Sequence, residues 1–310
     1  MPTTPPESLY SPDLIVEGTR ATRERYEPVI KEIIHYGVSA VDTALRWDPK
    51  AVDDAKLSCI SLYYQVLETF DTTLVLLRQA CAIGMRLALR SAFEGILGLE
   101  YMLREDSARR GRSYLVADAH TRIAVYLLVD INTPEGRDFQ KRLSKDEFTG
   151  GGLSGFEFKD FAAQRANLER GLRNDSLREI EREYQRVKKK FKQRPKWYAL
   201  YGGPRDLRQL AHRLGKSATY DVLYRQWSDT AHLTDLKRHM GTESGQLKVV
   251  GLRDARGLTS VSGLATTFGV TATRIFLQGI LPDRISSGEF KRWYTQEIRH
   301  AIPGLPGIPR

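Results

Sequence analysis

The sequence contains little cysteine and no long hydrophobic run. Only two of its 310 residues, Cys59 and Cys81, are cysteines, so it has neither a disulfide framework nor a CxxC metal pair. Both fall in apolar helical patterns, which is typical of small buried residues in a reducing cytosol. No stretch of about 18 apolar residues occurs, and the amino-terminal residues lack the apolar segment of a secretory signal. These absences predict a cytoplasmic protein with no membrane contact.

Motifs for nucleotide cofactors and for metal ions are also lacking. The glycine-rich stretch FTGGGLSG at residues 148–155 has neither the lysine nor the preceding strand of a phosphate-binding loop. His232, Asp235 and His239 share one helical face and remain an alternative set of metal ligands, but no HExxH motif or cysteine pair supports them. We therefore expect neither a cofactor nor a metal.

Helical patterns, in contrast, occupy nearly the whole chain. Hydrophobic residues make up 41% of the sequence, enough for a sizeable core, and almost every periodic segment has helical spacing. The sequence therefore predicts an all-α helical bundle with a projecting basic helical arm. We expect a disordered tail at 1–12, amino-terminal bundle helices at 13–135, the glycine loop and arm at 136–204, carboxy-terminal helices at 205–300 and a coil tail at 301–310. The expected bundle core comprises helices 55–80, 82–104, 107–131 and 218–240, whereas the thin apolar stripe of 156–196 packs against little.

The formal charge of +10 is concentrated in one segment. Seven basic residues and no acidic one lie between positions 186 and 196: Arg186, Lys188, Lys189, Lys190, Lys192, Arg194 and Lys196. Without these seven charges the chain would carry +3. Such a segment raises the local concentration of phosphate without selecting a base sequence, so it predicts binding of RNA or another polyanion. The alternative is an ordinary solvated helix end.

The helix predicted at 82–104 is apolar nearly all round, except for Arg86, Arg90 and Glu94 at spacings of four. A common interpretation is an Arg90–Glu94 pair at a helix edge that faces water. The alternative is that this polar stripe faces a second polar stripe across the bundle, because buried charges need partners.

The second polar stripe lies on the helix predicted at 218–240. Arg225 and His232 are seven positions apart, which is close to two helical turns, so both side chains share a face. An arginine that holds a phosphate and a histidine that moves a proton near neutral pH suit the cleavage of RNA. Ser228, Asp229 and His239 complete this face as supporting residues. The same residues could instead form a structural network in the core.

Two blocks of sequence resemble a bacterial family of helical proteins. They are RLALRSAFEGILGLEYMLRE at 86–105 and PKWYALYGGPRDLRQLAHRLGKSATYDVLYRQWSDTAH at 195–232. That family looks related to the HEPN superfamily (higher eukaryotes and prokaryotes nucleotide-binding), whose nucleases carry an arginine, four to six residues, and then a histidine. Arg225 and His232 enclose six residues, and the polar Gln226 follows the arginine as in many of those nucleases. Trp227 is unusual inside that motif; it could fill the nucleotide space or stack on a base.

The resemblance implies metal-independent RNA cleavage in a homodimer, by an abortive-infection toxin or a phage-defence effector with an antitoxin or defence-system partner. Arg90 and Glu94 would support Arg225 and His232. The competing hypothesis is a catalytically silent helical module that binds nucleic acid or a protein through the basic arm. Solvent access to Arg225 and His232 in a concave site separates the two hypotheses.

Overall fold

The computed structural model describes residues 11–46, 53–147, 160–224, 227, 240–243, 246–249 and 255–302. Three predicted segments fall largely or wholly outside these ranges: the tail at 1–12, the glycine loop at 148–155 and the coil tail at 301–310.

The described chain is an all-α structure, as the sequence predicts. Its α-helices are α1 (Pro12–Gly18), α2 (Arg20–Arg46), α3 (Asp54–Arg78), α4 (Ala82–Arg104), α5 (Ser107–Val129), α6 (Pro134–Leu143), α7 (Phe161–Leu172), α8 (Arg178–Phe191), α9 (Leu207–Arg213), α10 (Ser217–Thr219), α11 (Leu258–Ile280), α12 (Pro282–Ser286) and α13 (Glu289–Trp293). Short 3₁₀ turns span Asp175–Leu177 and Trp197–Gly202, and π-helical turns span Tyr220–Tyr224 and Tyr294–Arg299. One antiparallel hairpin joins β1 (Met240–Glu243) to β2 (Gln246–Val249), with Met240 opposite Val249.

Local signals in the sequence set several helix boundaries. The Asp53 carboxylate accepts a hydrogen bond from the Lys56 amide and caps α3. Thr133 caps α6 in the same way through the Gly136 amide. Pro28 lies inside α2 and does not divide it. The break in this region comes earlier, at Thr19, between α1 and α2.

Helices α2, α3, α4 and α11 pack against one another as a four-helix bundle. Tyr63 of α3 is stacked on Phe276 of α11 with ring centroids 4.2 Å apart, and its hydroxyl is hydrogen-bonded to Thr273 at 2.8 Å. The predicted core helices 55–80 and 82–104 are thus confirmed as bundle members. Within the described residues, α11 completes their core, and most of the helix predicted at 218–240 lies outside the described residues.

Two expectations are wrong: α5 does not belong to the bundle core, and the apolar stripe of the basic arm is buried against another helix. Ile180, Tyr184 and Val187 of α8 are buried in one apolar cluster with Val116 and Ala117 of α5. The stripe on α8 is narrow, as the sequence indicates, but a narrow stripe is still buried when one other helix offers a matching apolar face. Helix α5 therefore packs with the predicted arm and not in the four-helix core.

The packing divides the chain into two compact units. The bundle unit lies within Met1–Ser107 and Leu207–Arg310, and the second unit is Ala108–Asp206. The predicted boundary near 135 is accordingly displaced to the start of α5.

None of the described helices combines the length and apolar character needed to cross a lipid bilayer.

Candidate functional site

The predicted site residues divide into those that the structure describes and those that it does not. Arg225, Ser228, Asp229, His232 and His239 lie outside the described residues. Their roles stay predictions, and so does the alternative metal set of His232, Asp235 and His239. Arg90, Glu94 and the whole basic segment 186–196 are described.

Arg90 joins α4 to the chain directly before Arg225. Its Nη2 donates a hydrogen bond of 2.6 Å to the Tyr224 hydroxyl, and its guanidinium carbon lies 4.5 Å from the centroid of that ring. Glu94, one turn along α4, is 3.6 Å from the same nitrogen. The intrahelical pair is therefore present, but the shorter contact of Arg90 is to Tyr224.

The Arg90 side chain is partly buried, and it is buried more deeply than the side chain of Glu94. Its side chain is 25% exposed, whereas that of Glu94 is 43% exposed. The Arg90 Nε atom is buried and has no hydrogen-bond partner among the described residues. A buried donor without a partner costs about 1–3 kcal/mol, so such a group is usually satisfied by another segment, by water or by a ligand.

Tyr224 ends a π-helical turn, Tyr220–Tyr224, and its ring is stacked on that of Tyr220 with centroids 4.8 Å apart. Burial raises the pKa of Tyr224, and the negative charge of Glu94, which accepts a hydrogen bond from the hydroxyl, raises it further. Arg90 acts in the opposite direction but does not cancel the shift. The hydroxyl thus stays protonated and links the arginine to the carboxylate.

Further contacts tie the same stretch of chain to α4. Lys216 Nζ lies 2.9 Å from the Glu100 carboxylate, and the guanidinium of Arg213 lies over the Tyr101 ring at 5.5 Å. From Arg213 to Tyr224 the chain therefore runs antiparallel to α4. The Glu100–Lys216 pair was not predicted from the sequence; a single carboxylate on an otherwise apolar helix face was the available signal.

Arg86 does not join the Arg90–Tyr224 cluster. Its Nη2 donates a hydrogen bond of 3.3 Å to the Arg256 carbonyl oxygen, immediately before α11. The adjacent Gly257 has a positive φ of 80°, and a Cβ there would lie 2.8 Å from Arg86 Nη2. Arg86 therefore secures the start of α11, and the polar stripe of α4 serves two different segments.

Trp227 is the one described residue within the predicted motif. It is buried, with 7% of its surface exposed. Burial favours the space-filling role over base stacking, because a ring that stacks on a nucleotide needs an accessible face.

In the second unit, the basic segment covers the outer side of α8 and the residues that follow it. Its lysines and arginines are exposed, since Ile180, Tyr184 and Val187 occupy the face that packs on α5. The sequence predicts that the seven basic residues have no negatively charged partner, and Arg186 does not fit this prediction. It donates hydrogen bonds of 2.6 and 2.8 Å to the Glu183 carboxylate, three positions earlier on the helix.

Glu183 also anchors the chain after α8. Its carboxylate accepts a 2.8 Å hydrogen bond from the amide of Tyr201, a residue with a positive φ of 54°. The hydrogen bonds from Arg186 lower the pKa of Glu183, and the Tyr201 amide adds to that effect against the opposing influence of burial. The carboxylate is therefore ionised at neutral pH, and it compensates the charge of Arg186, one of the seven basic residues.

His120 is paired with a carboxylate that lies 61 positions later in the chain and that no sequence pattern indicates. Its Nε2 lies 2.7 Å from the Glu181 carboxylate, and its ring is stacked on Tyr184 with centroids 4.1 Å apart. Burial raises the pKa of Glu181, but hydrogen bonds from His120 and Gln185 outweigh it, so the net pKa is below the ordinary value. Within the described part of the chain, no group of three or more histidine, cysteine, aspartate or glutamate residues could hold a metal ion.

A family model matches the middle of the chain. No curated protein and no solved structure matches the chain. The match spans nearly all of α3, then α4, all of the second unit and the stretch that contains Arg225 and His232. Because residues 57–247 match the family described as "Family of unknown function (DUF5677)", which is more than half of the chain, the protein belongs to that family.

Proposed function

We propose that the protein is a HEPN-like, metal-independent endoribonuclease. Arg225 stabilises the charge that develops on phosphorus, and His232 takes the proton from a ribose 2′-hydroxyl or gives one to the leaving oxygen. The resemblance of the Arg225–His232 motif to those nucleases supports this assignment. It also extends the proposal to an abortive-infection toxin or phage-defence role, to a homodimer, and to an antitoxin or defence-system partner.

One structural observation carries the proposal furthest: the hydrogen bond from Arg90 to Tyr224. It holds a cation from the central bundle against the residue that precedes Arg225 in the chain. Arg90 also keeps one buried donor without a partner among the described residues. A phosphate oxygen is a chemically suitable acceptor for that donor, since guanidinium groups bind phosphate through several nitrogens at once.

The second candidate is a silent module that binds nucleic acid. Six exposed cations along α8 and the following residues favour it, because they give phosphate affinity without any catalytic group. This candidate predicts binding without cleavage. The two candidates are compatible in one respect, since a ribonuclease also needs a surface that holds its substrate.

Incubation of the purified protein with total RNA in the presence of a chelator tests the first candidate. The comparison proteins are the Arg225→Ala/His232→Ala double variant and a matched double variant, Arg173→Ala/His300→Ala, at exposed positions. We expect cleavage by the wild type and by the Arg173→Ala/His300→Ala protein but not by the first variant. Cleavage that continues without Arg225 and His232, or that never occurs, contradicts the proposal.

A further inference from the structure

Basic and aromatic residues alternate along one segment of the second unit. Between Tyr184 and Arg205 the sequence contains no aspartate or glutamate. That segment holds eight basic residues and five aromatic residues: Arg186, Lys188, Lys189, Lys190, Lys192, Arg194, Lys196 and Arg205, with Tyr184, Phe191, Trp197, Tyr198 and Tyr201. Four of the aromatic residues end α8 or follow its exposed lysines, and Lys190 Nζ lies 5.4 Å from the centroid of the Phe191 ring.

Cations lie over two of these rings. The guanidinium of Arg109, an exposed residue of α5, is 4.6 Å from the centroid of Tyr201. The guanidinium of Arg205, also exposed, is 5.1 Å from the centroid of Phe191. A guanidinium plane that rests on a ring is itself a flat surface on which a nucleic-acid base stacks.

The remaining two rings are neighbours in the chain and contact each other. Trp197 and Tyr198 are half-buried neighbours in contact edge to face, with centroids 5.5 Å apart. Phe191, Trp197 and Tyr201 pack partly on the apolar cluster of α5 and α8, so their positions are fixed by the core of the unit. We name the surface formed by Phe191, Trp197, Tyr198 and Tyr201 with Arg109 and Arg205 the aromatic–arginine surface.

The charge of the second unit fits a nucleic-acid partner. Ala108–Asp206 contains 22 lysines and arginines against 14 aspartates and glutamates, a formal charge of +8 out of the +10 of the whole chain. The Glu183 carboxylate beside this surface is already bound by Arg186 and by the Tyr201 amide. The negative charge of this carboxylate is therefore compensated by a cation, which weakens its repulsion of a phosphate backbone.

We infer that the aromatic–arginine surface binds single-stranded RNA, with unpaired bases stacked on its rings and guanidinium planes and with phosphates held by the adjacent lysines. Cations alone would bind duplex and single strand alike, whereas stacking needs bases that are not enclosed in a helix. The inference rests on the proposed function only in taking RNA as the nucleic acid. It names the substrate as single-stranded and puts the binding surface on the second unit.

Fluorescence anisotropy with labelled oligonucleotides tests this inference. The probe is a mixed-sequence single-stranded RNA of about 20 nucleotides with 2′-O-methyl riboses, compared with its duplex and with the single-stranded DNA of the same sequence. A 2′-O-methyl ribose cannot be cut through its 2′-oxygen, so binding is measured whether or not the chain is a ribonuclease. Failure of the ribonuclease proposal and failure of this inference are thus distinguishable.

The variants are Tyr198→Leu and Arg109→Gln, with Tyr64→Leu and Arg173→Gln as controls at exposed positions outside the aromatic–arginine surface. We expect Tyr198→Leu and Arg109→Gln each to weaken single-strand binding by about 5- to 150-fold and to leave duplex binding much less affected. Because Tyr198→Leu removes no charge, the salt dependence of its residual binding should match that of the wild type.

Two results would overturn the inference. One is equal affinity of the wild type for duplex and single strand. The other is unchanged single-strand affinity in Arg109→Gln, which replaces an exposed side chain. Circular dichroism spectra of all four variants establish that each is folded. If the DNA strand binds as tightly as the RNA strand, the surface is a stacking platform for single strands in general and the restriction to RNA is rejected.

Discussion

The Arg90 guanidinium and the Tyr224 hydroxyl are hydrogen-bonded at 2.6 Å, and Tyr224 directly precedes Arg225 in the chain. This contact links the polar stripe of a central bundle helix to the segment in which sequence reasoning places the catalytic residues. Because of this contact, the pKa of Tyr224 responds to the charges around that segment.

The titration of Tyr224 should follow the two charges beside it. Glu94→Gln removes a negative charge that raises the pKa of Tyr224, so the pKa should fall toward its ordinary value. Arg90→Gln removes the opposing positive charge, so the pKa should rise further. NMR spectra of protein labelled at the tyrosine ring carbons, recorded against pH, measure both changes. Glu68→Gln, at an exposed position of α3, is the control and should not move the Tyr224 signal.

The close approach of α2 and α11 should make Gly269 intolerant of a side chain. A Cβ at Gly269 would lie 2.7 Å from Cγ2 of Ile33, which is buried, so Gly269→Ala should lower the free energy of unfolding by about 1–3 kcal/mol. Gly171 of α7 has nothing within 4 Å of such a Cβ. Gly171→Ala should therefore be neutral or should stabilise by about 0.5–1 kcal/mol. Equal effects of the two substitutions in denaturant titrations would contradict the described helix packing.

The His120–Glu181 pair should make stability depend on pH in the acid range. Although burial raises the pKa of Glu181, hydrogen bonds from His120 and Gln185 bring it below its ordinary value in the folded state. The unfolded state therefore binds this proton more readily, and the stability contributed by Glu181 is present above its ordinary pKa and is lost as the pH falls through the folded value.

Thermal unfolding at pH values from about 6 down to 3 checks this expectation, because the ordinary pKa of glutamate is about 4.3. Glu181→Gln should flatten the decline in the melting temperature, and Gln185→Leu, which removes one of the hydrogen bonds, should have an intermediate effect. A Glu181→Gln protein that loses stability as steeply as the wild type would show that this carboxylate does not contribute.

The exposed lysines of α8 should dominate the salt dependence of RNA binding. Replacement of Lys188, Lys189, Lys190 and Lys192 with serine should reduce the slope of log affinity against log salt by about 3, since each phosphate contact contributes about 0.7–0.9. The control replaces Lys31, Lys141, Lys145 and Lys291, which are exposed elsewhere and give the same net charge. Equal slopes for the two variants would show that the segment is an ordinary solvated helix end.

Most of the bundle could be predicted from sequence because α3 and α4 have broad apolar faces. The assignment of α8 failed for a physical reason: periodicity shows the width of a stripe but not which helix covers it, and the partner face with Val116 and Ala117 lies on α5. The prediction that Arg186 lacks a counter-charge failed because Glu183 lies just outside the counted segment, at the helical spacing of three.

The candidate site was predictable only in part. A polar stripe on an apolar helix indicated that Arg90 and Glu94 need a partner, and the described partner is Tyr224. Nothing in the one-dimensional pattern distinguished Arg86, which instead binds the carbonyl oxygen before α11. The Arg109–Tyr201 contact was also missed, because the two residues are far apart in sequence and neither belongs to a motif.

We propose that His232 and Arg225 cut RNA through the ribose 2′-hydroxyl. The most direct test is the cleavage rate of one defined single-stranded RNA in the presence of a chelator, beside the same strand with 2′-deoxyriboses. We expect cleavage of the RNA strand but not of the deoxy strand. In a folded His232→Ala variant the rate should be lower by about 10²–10⁴-fold, as for loss of a general acid or base. Cleavage of the deoxy strand, a folded His232→Ala protein with the wild-type rate, or a wild type without activity would contradict it.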